Sequence, residues 1–103
     1  MSNQIKLTGG WFSGFQRKPY VDRETGEQLI SKRLKVQFED AQNSTDDEFA
    51  TTEIYFRIPR DLDEYVSGLK LRPMQKLVIT AALEQDKMHE DFRLRLLDVE
   101  KVG

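Results

Sequence analysis

The sequence predicts an all-β fold with one short helix: five strands closing a small barrel, the helix lying between strands three and four. Three observations predict it. A strand-like run at 52–58, Thr-Glu-Ile-Tyr-Phe-Arg-Ile, leads through Pro59 into a short amphipathic segment. Two further strand-like runs follow, at 76–83 and 92–99. The N-terminal half has the glycine and turn pattern of a curled hairpin. Strands, one helix and two closing strands, in that order, describe a five-stranded barrel of the OB type.

Ile5 and Leu7 alternate with Lys6 and Thr8, which opens strand one. Gly9, Gly10 and Gly14 then fall inside it. Glycines within a strand mark bulges and sharp bends, which barrel closure needs. A polar segment, 22–27, containing Gly26, separates Pro19-Tyr20-Val21 from Gln28-Leu29-Ile30, the signature of a hairpin. In strand two Leu34, Val36 and Phe38 take one face, and Arg33, Lys35 and Gln37 the other. Residues 40–50 are polar, acidic and without period, as in a mobile loop. Strand three turns Ile54, Phe56 and Ile58 inward and Tyr55 and Arg57 outward.

Leu62, Tyr65, Val66 and Leu69 have the spacing of an apolar helix stripe within 60–71, and these four are expected to plug the barrel's open end. Asp61 suits the N-cap or first turn. Pro73 bars continuation. Strand four offers Leu77, Ile79, Ala81 and Leu83 to one face, and a polar loop follows at 85–91. Strand five turns Phe92, Leu94 and Leu96 inward and Arg93 and Arg95 outward. Leu97 and Val99 continue the outward parity, so the end of this strand is apolar on both faces. Strand one, the helix or a second subunit would have to cover it.

At 103 residues the chain has the length of one domain, 1–103, with a modest core. It holds no cysteine, which excludes disulfides and thiolate metal sites. No apolar run approaches the ~18 residues of a membrane span, and the first six residues lack a signal peptide's apolar stretch. A soluble, cytoplasmic protein is expected. Net charge is -2, unevenly distributed: residues 1–38 carry seven bases and three acids, and residues 39–103 nine bases and fifteen acids. Six acids and no base fall between Glu39 and Glu53. The basic first half can attract a polyanion despite the total, because the local field steers association.

No catalytic constellation emerges. His89 is the single histidine and sits in a charged loop, so nothing completes a zinc-type site. Gly9-Gly10 lacks the spacing of a phosphate loop. Asp46, Asp47 and Glu48 could gather a divalent cation for a hydrolase or nuclease, but the calcium-loop pattern is missing. Neither enzyme activity nor a cofactor is expected.

The outward face carries the functional signal. Arg33 and Lys35, then Tyr55 and Arg57, then Arg93 and Arg95 repeat one pattern on three strands. Trp11, Phe12 and Phe15 add aromatics, followed by Arg17 and Lys18. Cations that track phosphates and rings that stack on bases are how single-stranded nucleic acid is held.

With these residues in view, the chain resembles the single-stranded-DNA-binding protein family. The opening Asn3-Gln4-Ile5-Lys6-Leu7-Thr8-Gly9 is similar to that family's first strand. Residues 52–99 are closer, through Tyr65-Val66-Ser67-Gly68-Leu69-Lys70, Lys76-Leu77-Val78-Ile79 and Leu96-Leu97-Asp98-Val99-Glu100. Cellular members carry a long tail ending in acidic residues and a phenylalanine; here the acid-rich segment is the internal 39–53. That looks like a compact phage- or plasmid-encoded member, or a primosome-type accessory protein.

The resemblance implies non-sequence-specific binding of single-stranded DNA in replication or recombination, in a bacterial or phage-infected cell. Trp11, Phe12, Phe15 and Tyr55 are expected to stack on bases, with Arg17, Lys18, Arg33, Lys35, Arg57, Arg93 and Arg95 along the backbone. A homodimer covering Leu97 and Val99, and replication or recombination proteins, are the expected partners; a membrane is not. The alternative is a protein-interaction module on the same barrel, phage structural or replisome-accessory.

Overall fold

The computed structural model describes residues 3–86 and 91–102; His89 and the middle of the loop expected at 85–91 lie outside them. The elements are β1 (Gln4–Val21), β2 (Gln28–Glu39), β3 (Thr51–Arg57), α1 (Arg60–Gly68), β4 (Lys76–Asp86) and β5 (Asp91–Lys101). The five strands form a closed barrel in the order β1-β2-β3-β5-β4, with β4 returning to β1. Every pairing is antiparallel except β3 with β5, which meet in parallel at Arg57 and Arg95. This is the expected OB-type architecture, with the helix between strands three and four. Among the described residues no helix is long and apolar enough to cross a membrane.

The 18-residue β1 serves two neighbours. Its first half pairs with β4 (Gln4 opposite Ala82, Leu7 opposite Ile79) and its second half with β2 (Trp11 opposite Gln37 through Val21 opposite Gln28). The change of partner occurs at Gly10, Trp11 and Phe12. Gly9, just before it, has φ 81°, and the β4 register slips there. Gly10 is buried so closely that a Cβ would come within 2.6 Å of Phe38 Cε1 and 2.7 Å of Val36 Cγ1. A second slip leaves Ser13 unpaired, so Phe12 and Phe15 both turn toward the interior.

The core comprises Phe12, Leu34, Val36, Phe56, Ile58, Val66, Leu77, Ile79, Ala81, Leu96 and Val99. Strict alternation along β5 would turn Val99 outward, yet it is fully buried. A bulge explains the difference. Ala81 faces Leu96 and Thr80 faces Asp98, so Leu97 is the extra residue and the inward parity moves from Leu94 and Leu96 to Val99. Val99 is therefore covered by its own barrel, without a second subunit. Two other residues expected inward, Leu83 and Phe92, are 39% and 68% exposed, because here β4 and β5 run past the barrel wall as a free hairpin arm.

The helix is shorter than the expected 60–71, with Pro59 at its N-cap and Asp61 and Asp63 in its first turn. Lys70, at φ 51°, leaves the helical region. Val66 enters the core, and Leu62 and Leu69 pack against it. Tyr65, expected to complete the plug, is 47% exposed and donates a hydrogen bond to the Val99 carbonyl at 3.4 Å. Nine residues do not hold a helix alone in water, so its packing and the 2.9 Å Lys32–Asp63 contact keep it in place.

Two glycine substitutions separate close packing from chain flexibility. Gly10→Ala is expected to lower unfolding free energy by about 1–3 kcal/mol, the usual cost of overpacking a core. Gly68→Ala, in the helix's last turn with open space around it, is expected to raise stability by about 0.5–1 kcal/mol. Urea unfolding of the two variants checks both signs.

Candidate nucleic-acid interface

The ladders bring the outward cations of three strands onto one surface. Arg33 lies opposite Arg57, Lys35 opposite Tyr55, and Arg57 beside Arg95. Like charges on neighbouring strands repel, and the surface offsets this with two carboxylates. Glu84 accepts a hydrogen bond from Arg57 Nη2 at 2.9 Å and lies 3.8 Å from Arg95 Nε. Glu53 accepts from the Tyr55 hydroxyl at 2.7 Å and from Ser13 Oγ at 3.0 Å.

Those hydrogen bonds, Tyr55 first and Ser13 second, hold the Glu53 carboxyl below its ordinary 4.5, with nearby Lys35 adding to the effect and partial desolvation opposing it. The same bond raises the Tyr55 phenol above 10.0, since ionisation would lose a donor to an anion. At neutral pH Tyr55 is thus a neutral ring, 39% exposed and tethered by its hydroxyl.

A groove crosses this surface between two hairpin arms, β1–β2 on one side and β4–β5 on the other. It consists of two hollows of about 410 and 330 Å³ that share Ser31, Arg57 and Arg93. The first is flanked by Tyr20, Ile30, Lys32 and Arg60, and the second by Arg33, Tyr55 and Phe92. Three aromatic side chains (Tyr20, Tyr55 and Phe92) thus share the groove with cations from β2, β3, α1 and β5 and with the acids Asp63 and Glu53.

Of the residues singled out from the sequence, Arg33, Tyr55, Arg57 and Arg93 line the groove. Lys35 and Arg95 adjoin it through their strand partners Tyr55 and Arg57, and Lys18 lies opposite the groove residue Ser31. The rest of the first strand's set is elsewhere. Phe12 is 6% exposed in the core and has no face open to a base. Phe15 meets Phe12 edge-on at 5.1 Å, with Lys32 Nζ 4.5 Å over its ring and the Arg17 guanidinium at 5.7 Å. The unpaired Ser13 is the reason: it turns the second ring inward as well.

Trp11 is half-buried on the outer surface. Its Nε1 donates to Gln37 Oε1 at 3.2 Å, and its ring stacks on Phe49 at 6.0 Å and 24°. With Met74 and Lys76 these rings line a separate hollow of about 290 Å³.

Phe49 belongs to the acidic segment, a loop as expected, and one whose side chains and backbone are linked by several hydrogen bonds. Asp40 accepts from the Asn43 side chain at 2.6 Å and from Thr52 at 3.4 Å, and the Asn43 bond is the main cause holding its carboxyl below 3.8. Ser44 Oγ donates to the Asp40 carbonyl at 2.8 Å and accepts from the Ala50 amide at 3.0 Å. Among the described residues no three His, Cys, Asp or Glu side chains are grouped to hold a metal ion.

The sequence reading named none of Tyr20, Ile30, Lys32, Arg60 and Phe92 as site residues and turned Phe92 inward. The usable signal was position: apolar side chains beside a turn, at strand ends that overrun the barrel, have no core to enter. A scan of protein-family models found none that matches the chain, and a search of curated proteins found none similar to it.

Tyrosine absorbance titration is expected to show the Tyr55 phenol, identified by its loss in Tyr55→Phe, raised above its ordinary 10.0 and lowered toward that value in Glu53→Gln. Phe49→Ala is expected to open the Trp11 indole to water, shifting its emission to longer wavelength and increasing quenching by acrylamide.

Proposed function

We propose that the protein binds single-stranded DNA with little sequence preference, in the groove between its two hairpin arms. One observation carries this reading. Tyr20, Tyr55 and Phe92 line one open channel together with Lys32, Arg33, Arg57, Arg60 and Arg93, which outnumber its acids, Glu53 and Asp63. Aromatic faces accept any base by stacking, and guanidinium groups accept any phosphate. A role in replication or recombination, and the likeness to single-stranded-DNA-binding proteins, belong to this proposal, as does self-association, for which Val99 supplies no reason.

The Trp11–Phe49–Met74 hollow favours a second, compatible reading as a protein-docking patch. It is apolar apart from Lys76, and its Phe49 directly follows the acidic run Asp46, Asp47 and Glu48 in the sequence, whose charge disfavours phosphate. Trp11 is accordingly removed from the stacking set.

The deciding experiment is anisotropy of a fluorescein-labelled oligo-dT titrated with the protein at several salt concentrations. Three to five phosphate contacts give a slope of log K against log salt of about -2 to -3.5. Tyr55→Ala is expected to weaken binding by about 1–3 kcal/mol, the worth of one stacked base. Trp11→Ala is expected to leave it unchanged. Absence of binding at low salt would refute the assignment.

A further inference from the structure

Glu84 is placed where a bound phosphate would be expected. It lies on β4 opposite Arg93, and its Oε1 accepts from Arg57 Nη2 at 2.9 Å. The same oxygen is 3.8 Å from Arg95 Nε, too far for a hydrogen bond. Arg95 Nε is shielded from water and has no hydrogen-bond partner among the described residues. One carboxylate oxygen is thus shared by two guanidinium groups and satisfies one of them. The side chains of Arg57, Glu84 and Arg95 remain 37%, 36% and 41% exposed, so the cluster is open to solvent; Arg57 lines the groove, and Arg95 lines a neighbouring hollow of about 220 Å³ with Pro59, Asp61 and Leu62.

We propose that Arg57 and Arg95 form a phosphate seat, which Glu84 occupies in the free protein and leaves when a phosphodiester of the single strand enters. This rests on the nucleic-acid reading above. A phosphodiester has two non-bridging oxygens, one for each guanidinium, and so completes the hydrogen bond that Arg95 Nε lacks. Partly exposed ion pairs are weak, and displacing Glu84 costs little. Until then its charge screens the repulsion between Arg57 and Arg95, which meet side by side across a parallel ladder. Glu84 is therefore a built-in competitor that lowers affinity for every sequence alike and eases release of the strand.

The test compares wild type, Glu84→Gln, Glu84→Ala and Glu100→Gln in the oligo-dT anisotropy assay, with circular dichroism confirming that each is folded. Glu100 is exposed, faces Val78 on β4, and loses the same formal charge, so its variant controls for net charge. Both Glu84 variants are expected to bind about three- to tenfold more tightly than wild type, while Glu100→Gln stays within about twofold. Glu84 variants equal to or weaker than a binding wild type would overturn the seat. An equal gain in Glu100→Gln would overturn it too, by assigning the effect to total charge. Failure of wild type itself to bind oligo-dT would instead bring down the nucleic-acid reading on which the seat stands.

Discussion

Barrel closure depends on the close approach of β1 to the core at Gly10. Immediately after it the strand is flanked on both sides: Trp11 lies opposite both Gln37 and Lys76, and Phe12 pairs with Val36 while its backbone bonds to residues 74 and 75. The space a side chain would need at Gly10 is filled by Phe38 and Val36. Gly9, with its left-handed φ, supplies the bend that lets one strand leave β4 and join β2. Without this approach the sheet would keep two open edges and the core would lose a wall.

Two bulges then decide which side chains face in. At Ser13 and Leu97 an unpaired residue resets alternation, sending Phe12 and Phe15 inward on β1, and Leu96 and Val99 inward on β5. The interior thereby gains two residues that regular alternation would have left outside, and the outer surface keeps polar side chains. The groove depends on this sorting. Its cations stand on regular stretches of β2, β3 and β5 and on α1, while Tyr20 and Phe92 come from where the arms outrun the core and Tyr55 from regular β3.

Charge is sorted in the same way. The sheet surface gathers arginines from three strands and tempers them with Glu53 and Glu84, each committed to named partners. The remaining acid-rich stretch is held off to one side, in a loop stitched by Asp40 and Ser44 and laid on Trp11 through Phe49. A nearly neutral chain thus presents one cationic channel and one acidic, apolar flank. In the proposed function, long-range attraction of a polyanion comes from the channel and not from the sum.

Alternation, glycine placement and the helix stripe are local properties, and they determined the element order, the barrel class and the outward cations Arg33, Lys35, Arg57, Arg93 and Arg95. Tyr55 was legible for the same reason, as the one ring at an outward position of a short, regular strand. The inward turn of Phe15 beside Phe12 was not, because parity across a bulge cannot be counted from neighbours alone. Nor could alternation show that Phe92 and Tyr20 stand beyond the barrel wall, where an inward direction points into a gap instead of a core. The pairing of Glu84 with Arg57, 27 residues apart, exists only because β4, β5 and β3 meet around the closed barrel. Sequence sets which side of a strand a residue takes between bulges; tertiary structure decides what lies on that side, because burial and charge pairing are properties of neighbours brought together by closure.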